Sequence, residues 1–171
     1  LLSALKGCEI LYHTAAYYSL WDRDQRLIYE INVEGTRKIL QAAQEKCLEK
    51  IVYTSTVGCI GLNDDTTPAT ENTFFNKNTL SNDYKKSKYQ AERIALEFAR
   101  SGLPVVIVNP STPVGPRDIK PTPTGKIILD FLNREMPAYL DTGLNLIDVK
   151  DCAKGHILAE KKGVPGERYI L

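Results

Sequence analysis

Two unbroken apolar, β-branched runs constrain the fold of this 171-residue chain more than any other feature. They read KIVYTSTVG at residues 50–58 and LPVVIVNP at residues 103–110. A strand with one face in water alternates apolar and polar residues, whereas a strand covered on both faces is apolar throughout. The two runs are therefore predicted to be buried strands of a parallel sheet that carries helices on both faces.

The segments around these runs complete an alternation of strands and helices. Further strands are predicted at residues 9–13, at residues 138–140 and at the carboxyl terminus. Helices are predicted at residues 24–47, 82–100, 124–134 and 149–161, and residues 1–7 have the pattern of the last turns of another helix. The sequence thus predicts one α/β domain over residues 1–171, built on an open parallel sheet with flanking helices.

The predicted strands end in polar or small residues. They continue as HTAA, TSTVG and NPSTPVGP, three segments rich in hydroxyl groups, alanine and proline. Ligands of open parallel sheets bind beyond the carboxyl ends of the strands, so these segments are candidates for the wall of a pocket. Taken one at a time, each of them could equally be an ordinary turn.

The helix at residues 82–100 carries a tyrosine and a lysine on its apolar face. Steps of four and three residues from Tyr84 lead to Lys88 and then to Ala91, Ala95 and Phe98. A buried ammonium group needs a partner, and a cation one turn from a phenol favours the phenolate. The pair is therefore a candidate proton donor and acceptor, although this spacing also occurs in amphipathic helices whose lysine reaches into solvent.

Composition excludes several other classes of function. Lys+Arg 22 against Asp+Glu 21 leaves no basic patch for nucleic acid, and no apolar run is long enough to span a membrane. The two histidines are isolated, so no metal site is predicted. Widely spaced cysteines without a C-x-x-C motif indicate reduced core residues of a cytoplasmic protein: Cys8, Cys47, Cys59 and Cys152.

Several ordered motifs resemble one known family. INVEGT, YTSTVG, YKKSK and VNPSTPVGP are similar to the corresponding stretches of the extended short-chain dehydrogenases/reductases, the NAD(P)-dependent epimerase/dehydratase group. The segments NPSTPVGPRDIKPTPTG and MPAYLDTGLNLIDVKDCAKGHILA resemble more narrowly the hopanoid-associated sugar epimerases and the dihydroflavonol-reductase-like proteins. The resemblance implies a Rossmann-like sheet, an NAD or NADP cofactor, and a small-molecule substrate such as a nucleotide sugar.

The resemblance also assigns roles to residues. It implies that Tyr84 is the catalytic acid/base and that Lys88 holds the nicotinamide ribose while lowering the pKa of the tyrosine. Thr56 matches the catalytic hydroxyl, and Asn32 matches an asparagine that supports the active site from its helix. Cofactor contacts are expected from Tyr84, Lys88, His13, Ala15, Ala16, Thr54, Asn109, Pro110 and Thr112. Substrate contacts are expected from Asn109, Arg117, Lys120 and Thr122.

One motif of the family is missing. No glycine-rich dinucleotide turn occurs in the sequence, so we expect the chain to be a piece of a longer protein whose first βαβ units precede it. The leading hypothesis is a sugar epimerase that works by hydride transfer, with a dihydroflavonol-reductase-like carbonyl reductase as the alternative. A dinucleotide sensor without turnover and an interaction module without cofactor also stay open. A homodimer formed through the two long helices is expected from the family.

Overall fold

Six strands and five α-helices make up the described part of the protein. The computed structural model describes residues 1–18, 25–63, 65, 67–73, 75–76, 80, 82–139 and 141–171. The strands are β1 (Ile10–His13), β2 (Lys50–Thr54), β3 (Val105–Asn109), β4 (Thr112–Val114), β5 (Leu146–Asp148) and β6 (Arg168–Ile170). The helices are α1 (Gln25–Tyr29), α2 (Gly35–Glu45), α3 (Asp83–Arg100), α4 (Pro123–Leu132) and α5 (Val149–Lys162), with a π-helical turn at Glu30–Glu34 and a 3-10 turn at Val57–Cys59.

The central sheet contains β1, β2, β3 and β6 in that order, and all neighbouring strands are parallel. The two apolar runs form β2 and β3, and every residue of β3 is buried. This burial follows from the runs themselves, because successive side chains of a strand point to opposite faces and both faces here are apolar. The predicted Rossmann-like parallel sheet with flanking helices is confirmed.

Different helices cover the two faces of the sheet. On one face Ile51 and Ile107 pack against residues of α2 and α3, including Leu40 and Ala95. On the other face Val52, Val106 and Val108 pack against Ala159 of α5. Burial of each large apolar side chain contributes about 1.5–3 kcal/mol. The sheet is thus held between two helical layers, which fixes where the strand ends lie.

Helix α3 begins and ends where its sequence predicts. The side chain of Asn82 accepts a hydrogen bond from the backbone N–H of Lys85 at 2.8 Å, as an N-cap does. Gly102 follows the helix with φ +97, and the N–H of Leu103 donates to the carbonyl of Phe98. The alternative cap, Ser81, lies outside the described residues. These caps fix the rotation of the helix that carries the tyrosine–lysine pair.

The helix predicted at residues 24–47 is observed as α1, the π-helical turn and α2 in direct succession. Residue 24 lies outside the described ranges. The π-helical turn adds one residue to a helical turn and therefore changes the direction of the side chains that follow. Its central residue is Asn32, which is 2% exposed.

Two short sequence predictions are wrong. Residues 138–139 do not form a strand, and residue 140 lies outside the described ranges; instead β4 and β5 pair in parallel as a separate two-stranded sheet. Three-residue strands, one of them containing Pro113, carry no periodic signal that a sequence reading can detect. The expected helix end at residues 1–7 is a series of turns, in which the N–H of Leu5 donates to the carbonyl of Leu1.

Candidate active site

The carboxyl ends of β1, β2 and β3 lie side by side at one edge of the central sheet. The register pairs His13 with Tyr53 and Thr54 with Val108, so the segments after these residues leave the sheet together. Helix α3 packs against β3 and against the 3-10 turn that follows β2. The sheet therefore brings the polar strand ends next to the helix that carries the tyrosine–lysine pair.

Lys88 is buried, with 4% of its surface exposed. Its Nζ donates to the carbonyl oxygen of Thr54 at 2.8 Å and to the hydroxyl of Tyr53 at 3.3 Å. The amine also lies 5.0 Å from the centre of the Tyr53 ring, within the range of a cation–π contact. The lysine on the apolar face thus points inward and joins α3 to the end of β2, and does not reach into solvent.

The pKa of Lys88 is lowered to about 8, because burial disfavours the charged amine. The neighbouring Cys59 and Glu92 act in the opposite direction and raise this pKa. A pKa near 8 leaves most of the amine protonated at neutral pH. The side chain is therefore a buried ammonium group that can still donate hydrogen bonds to a ligand.

The pKa of Tyr84 is raised to about 12, and burial of the phenol is the largest cause. Tyr18 and Cys59 raise it further, and the ring of Tyr18 meets that of Tyr84 edge to face at 4.6 Å. The expected lowering of this pKa by Lys88 is thus not found, since the ammonium group is directed to Thr54 and Tyr53. At neutral pH Tyr84 is a phenol, which is the form that can give up a proton.

Thr56 ends the segment after β2 and begins the 3-10 turn. Its Oγ1 accepts from the N–H of Gly58 at 3.1 Å, the bond of an N-cap, and its carbonyl accepts from the side-chain amide of Asn109 at 2.9 Å. An oxygen that accepts one bond can still donate its own hydroxyl proton. The residue is half-buried, so its position is fixed by two bonds while its hydroxyl proton is available to a substrate.

Thr54 points toward α5, where sequence analysis had not placed a site residue. Its Oγ1 lies 2.9 Å from Nε2 of His156, and Nδ1 of the same ring lies 2.8 Å from the carbonyl of Cys152. A carbonyl only accepts, so Nδ1 carries the proton and Nε2 accepts from the threonine hydroxyl. The side chain of Thr54, expected to contact the cofactor, instead holds α5 against the end of β2.

Asn32 connects two segments of the site. Its Oδ1 accepts from the N–H of Tyr17 at 2.7 Å, and its Nδ2 donates to the carbonyl of Tyr17 and to Oγ of Ser87, both at 3.0 Å. The hydroxyl of Ser87 donates in turn to the carbonyl of Tyr84. Asn32 therefore supports the tyrosine from its helix, through direct bonds to the segment after β1 and to α3.

His13 does not face a ligand site. It is 9% exposed, and its Nε2 lies 3.0 Å from the hydroxyl of Thr36, which donates its own proton to the carbonyl of Asn32. Nε2 is therefore the protonated ring nitrogen. The expected cofactor contact is corrected to a structural role, because a buried, hydrogen-bonded ring anchors β1 to the start of α2.

Burial of His13 is expected to make stability depend on pH. Its pKa is lowered from 6.5 to about 4, first by burial and then by Lys88. Above pH 6.5 both the folded and unfolded states hold a neutral ring, but between pH 6.5 and 4 the unfolded state binds a proton that the folded state does not. The free energy of unfolding should therefore fall as pH falls through this window, by about 3 kcal/mol in full.

Urea unfolding of the full-length protein and of its His13→Gln variant, at pH 7 and pH 4.5, measures this loss. We expect the original protein to lose about 2 kcal/mol more than the variant between the two conditions. An equal loss in both would show that the ring is already protonated in the folded state.

Two other expected cofactor contacts are buried, and two are on the surface. Asn109 is 0% exposed and its amide also donates to Glu92 at 2.7 Å, so it lies beneath the site and not at its surface. Pro110 is buried as well. The expected contact of Asn109 is corrected to a supporting position, since a side chain without exposed surface cannot contact a ligand. A contact of Pro110 with the cofactor stays a prediction. Ala15 and Ala16 are exposed beyond β1, which is compatible with a wall beside a cofactor.

The residues expected to contact substrate have local roles in the structure. Thr122 caps α4: its hydroxyl accepts from the N–H of Gly125 at 3.1 Å and donates to Asp118 at 2.9 Å. Thr112, expected to contact the cofactor, lies in β4, and its N–H donates to the carbonyl of Asn145 at 2.9 Å. Arg117 and Lys120 are exposed in the loop between β4 and α4, and their contact with substrate stays a prediction.

Sequence analysis missed a buried charge beneath the site. Glu92 is 2% exposed and bonds to Ser55, Asn109 and Arg168. It follows Lys88 by one helical turn, and this spacing was the signal that could have placed it on the same inward face of α3.

The described residues contain neither a candidate metal site nor a candidate membrane-spanning helix. No group of three or more His, Cys, Asp or Glu side chains in that part of the chain could hold a metal ion. Among the same residues, no helix is both long enough and apolar enough to cross a membrane.

The architecture defines the class of protein. A parallel sheet between two helical layers, with polar strand ends at one edge, is the arrangement of a Rossmann-like α/β protein. The chain belongs to the NAD dependent epimerase/dehydratase family, because the sequence model of that family matches residues 1–171. The family resemblance inferred from the motifs is thus confirmed.

Individual relatives agree with this assignment. A curated protein of Synechocystis sp., named "Putative dihydroflavonol 4-reductase", is 54% identical over 98% of this chain and 50% of its own length. The crystal structure of gox2253 matches with a TM-score of 0.94 and 52% identity, over 100% of this chain and 52% of that one. The dTDP-glucose 4,6-dehydratase DesIV of Streptomyces venezuelae, a double mutant solved with NAD and DAU bound, matches with a TM-score of 0.84 and 26% identity, over 99% and 53%. The chain spans about half the length of the curated relatives it matches.

Proposed function

We propose that this chain carries the proton-transfer site of an NAD(P)-dependent oxidoreductase that acts on a carbonyl or hydroxyl carbon of a small molecule. The observation that supports it most directly is the inward-facing pair on α3, with the amine of Lys88 bonded to the end of β2 one turn beyond Tyr84. A buried lysine is costly without a role, and its tyrosine neighbour is a phenol at neutral pH.

The chemistry of Lys88 fits the dinucleotide that the family implies. An ammonium group has three N–H bonds, and described residues accept two of them, Thr54 and Tyr53. The third is available to a ribose hydroxyl, and the small side chains of Ala15 and Ala16 are exposed beyond the end of β1. NAD or NADP, when bound, supplies or accepts the hydride at its nicotinamide ring.

Three residues would take part in the proton transfer or support it. Tyr84, protonated at neutral pH, donates its proton to the substrate oxygen when a carbonyl is reduced, and this leaves the phenolate. In the reverse direction the phenolate form accepts the proton of the alcohol that is oxidised. Thr56 donates its hydroxyl proton to the same oxygen and so stabilises the negative charge that develops there. Lys88 would orient the cofactor through its remaining N–H bond.

Two reactions of this type remain candidates. A nucleotide-sugar epimerase oxidises a sugar carbon and returns the hydride to the other face. The similarity to DesIV, a dTDP-glucose 4,6-dehydratase, supports a nucleotide sugar as the substrate. A carbonyl reductase stops after one transfer, and the 54% identity to a protein named as a dihydroflavonol 4-reductase favours it. Both use the same three residues and differ in the substrate and in whether the hydride returns.

Incubation of the full-length protein with two sets of reagents distinguishes these reactions. An epimerase converts a nucleotide sugar into its epimer in the presence of NAD, with no net change in reduced-nicotinamide absorbance. A reductase consumes NADPH in proportion to a dihydroflavonol ketone. Dinucleotide binding, read from nicotinamide fluorescence, without turnover in either set would favour the sensor, and no binding at all would favour the interaction module. Either of the last two results contradicts the proposal.

Three further expectations stay predictions. They are a single domain over residues 1–171, a cytoplasmic location, and a homodimer that forms through the two long helices. The first of these helices is observed as α1, the π-helical turn and α2, and the second is observed as α3.

A further inference from the structure

The carboxylate of Glu92 is the most extensively bonded buried charge in the described part of the chain. Its Oε2 accepts from the hydroxyl of Ser55 through a short bond, and from the amide of Asn109 at 2.7 Å. Its Oε1 lies 3.2 Å from Nη1 of Arg168. Both oxygens of a side chain that is only 2% exposed therefore have hydrogen-bond donors.

Glu92 and its three partners lie on or next to four different elements. Glu92 lies on α3, Ser55 directly follows β2, Asn109 ends β3, and Arg168 begins β6. Asn109 uses the same amide nitrogen to hold the carbonyl of Thr56 at 2.9 Å. The carboxylate thus connects the helix that carries the tyrosine–lysine pair with the segment that carries the threonine.

Stability alone is a weak explanation for this arrangement. The cost of removing a carboxylate and a guanidinium from water often exceeds the gain from pairing them, and well-packed apolar residues commonly serve as well. What an apolar core cannot do is fix the ends of several elements at defined hydrogen-bond distances.

We propose that Glu92 is a positioning residue, which holds Thr56 in place relative to Tyr84 and Lys88 through Ser55 and Asn109. The proposal rests on the proposed function, because it concerns the same three groups. Glu92 itself touches neither substrate nor cofactor.

The negative charge has a second consequence. The titratable groups that interact with Lys88 come from three neighbouring elements and from its own helix: His13 on β1, Tyr53 on β2, Cys59 in the 3-10 turn, and Glu92 on α3. Glu92 raises the pKa of Lys88, so loss of its charge should move that pKa below about 8. Dinucleotide binding that needs the ammonium form of Lys88 should then be lost at a lower pH.

The test uses the full-length protein and three variants. Glu92→Gln keeps the shape but removes the charge, Glu97→Gln is the matched control on the exposed side of α3, and Tyr84→Phe reports on the proposed function. For Glu92→Gln we expect kcat to fall roughly 30-fold with KM changed less than about 3-fold. The alkaline limb of dinucleotide affinity against pH should move down by about one pH unit. Glu97→Gln should match the original protein in all three measurements.

If Glu92→Gln lowers only the unfolding temperature, while kcat and the alkaline limb match those of Glu97→Gln, the residue is merely structural and the proposal is overturned. Should Glu92→Gln fail to fold, Asn109→Ala decides: it removes the bond to Thr56 but leaves the carboxylate with Arg168. We expect this variant to lose kcat with an unchanged alkaline limb, and unchanged kcat would overturn the proposal. Full turnover by Tyr84→Phe would refute the proposed function instead, while the affinity profile would still report the effect of Glu92 on Lys88.

Discussion

Replacing Tyr84 by phenylalanine is expected to lower kcat of the full-length protein roughly 10²- to 10⁴-fold, the usual contribution of a positioned acid/base. The change removes only the hydroxyl, whose pKa of about 12 keeps it protonated at neutral pH. The ring and its edge-to-face contact with Tyr18 are retained. Dinucleotide affinity and the unfolding temperature should therefore change little, and the loss should appear in turnover.

The matched control is Tyr12→Phe. Tyr12 lies on β1 and is 40% exposed. Burial and the neighbouring Glu160 raise the pKa of its hydroxyl, so Tyr12 is also a phenol at neutral pH. Steady-state kinetics of both variants give the comparison. If Tyr84→Phe turns over as fast as Tyr12→Phe, another group supplies the proton and the catalytic assignment of Tyr84 is wrong.

Replacing Lys88 by methionine is expected to weaken dinucleotide binding by roughly 10- to 100-fold, the value of a hydrogen bond from a charged donor. Methionine has a similar length but no donor, so a ribose hydroxyl loses its partner. The carbonyl of Thr54 and the hydroxyl of Tyr53 lose theirs too. Loss of a desolvated charge offsets part of this cost, so the unfolding temperature should shift by only a few degrees.

Lys85→Met on the same helix is the control, because Lys85 is exposed. Fluorescence titration with NAD and with NADP measures the affinity of both variants and also shows which dinucleotide binds more tightly. Equal affinities for Lys88→Met and Lys85→Met would mean that the buried amine only holds α3 to β2.

Local patterns predicted the elements that carry the site. The apolar runs of β2 and β3, the cap at Asn82 and the stop at Gly102 each depend on residues close together in sequence. The inward direction of Lys88 followed from the helical period in the same way. Motif resemblance added the family, which the match over the whole chain bears out.

The same patterns did not reveal which polar groups face a ligand. Asn109 and His13 each end a strand of the sheet, as pocket residues do, yet both are enclosed and bonded to other side chains. The pKa of Tyr84 is also opposite to expectation, since one neighbouring cation counts for less than burial of the phenol. Sequence spacing tells which residues are neighbours, but desolvation depends on everything packed around them.

By itself, the sequence determined the α/β class, the parallel strands, the ends of α3 and the inward face that carries Tyr84 and Lys88. Each of these follows from periodicity or capping within a single element. Only the tertiary structure decided the partners of the buried polar atoms, such as Asn32 with Ser87, 55 residues apart, and Thr54 with His156, 102 residues apart. Hydrogen bonds need atoms within about 3 Å, and packing of the helices on the sheet sets such distances.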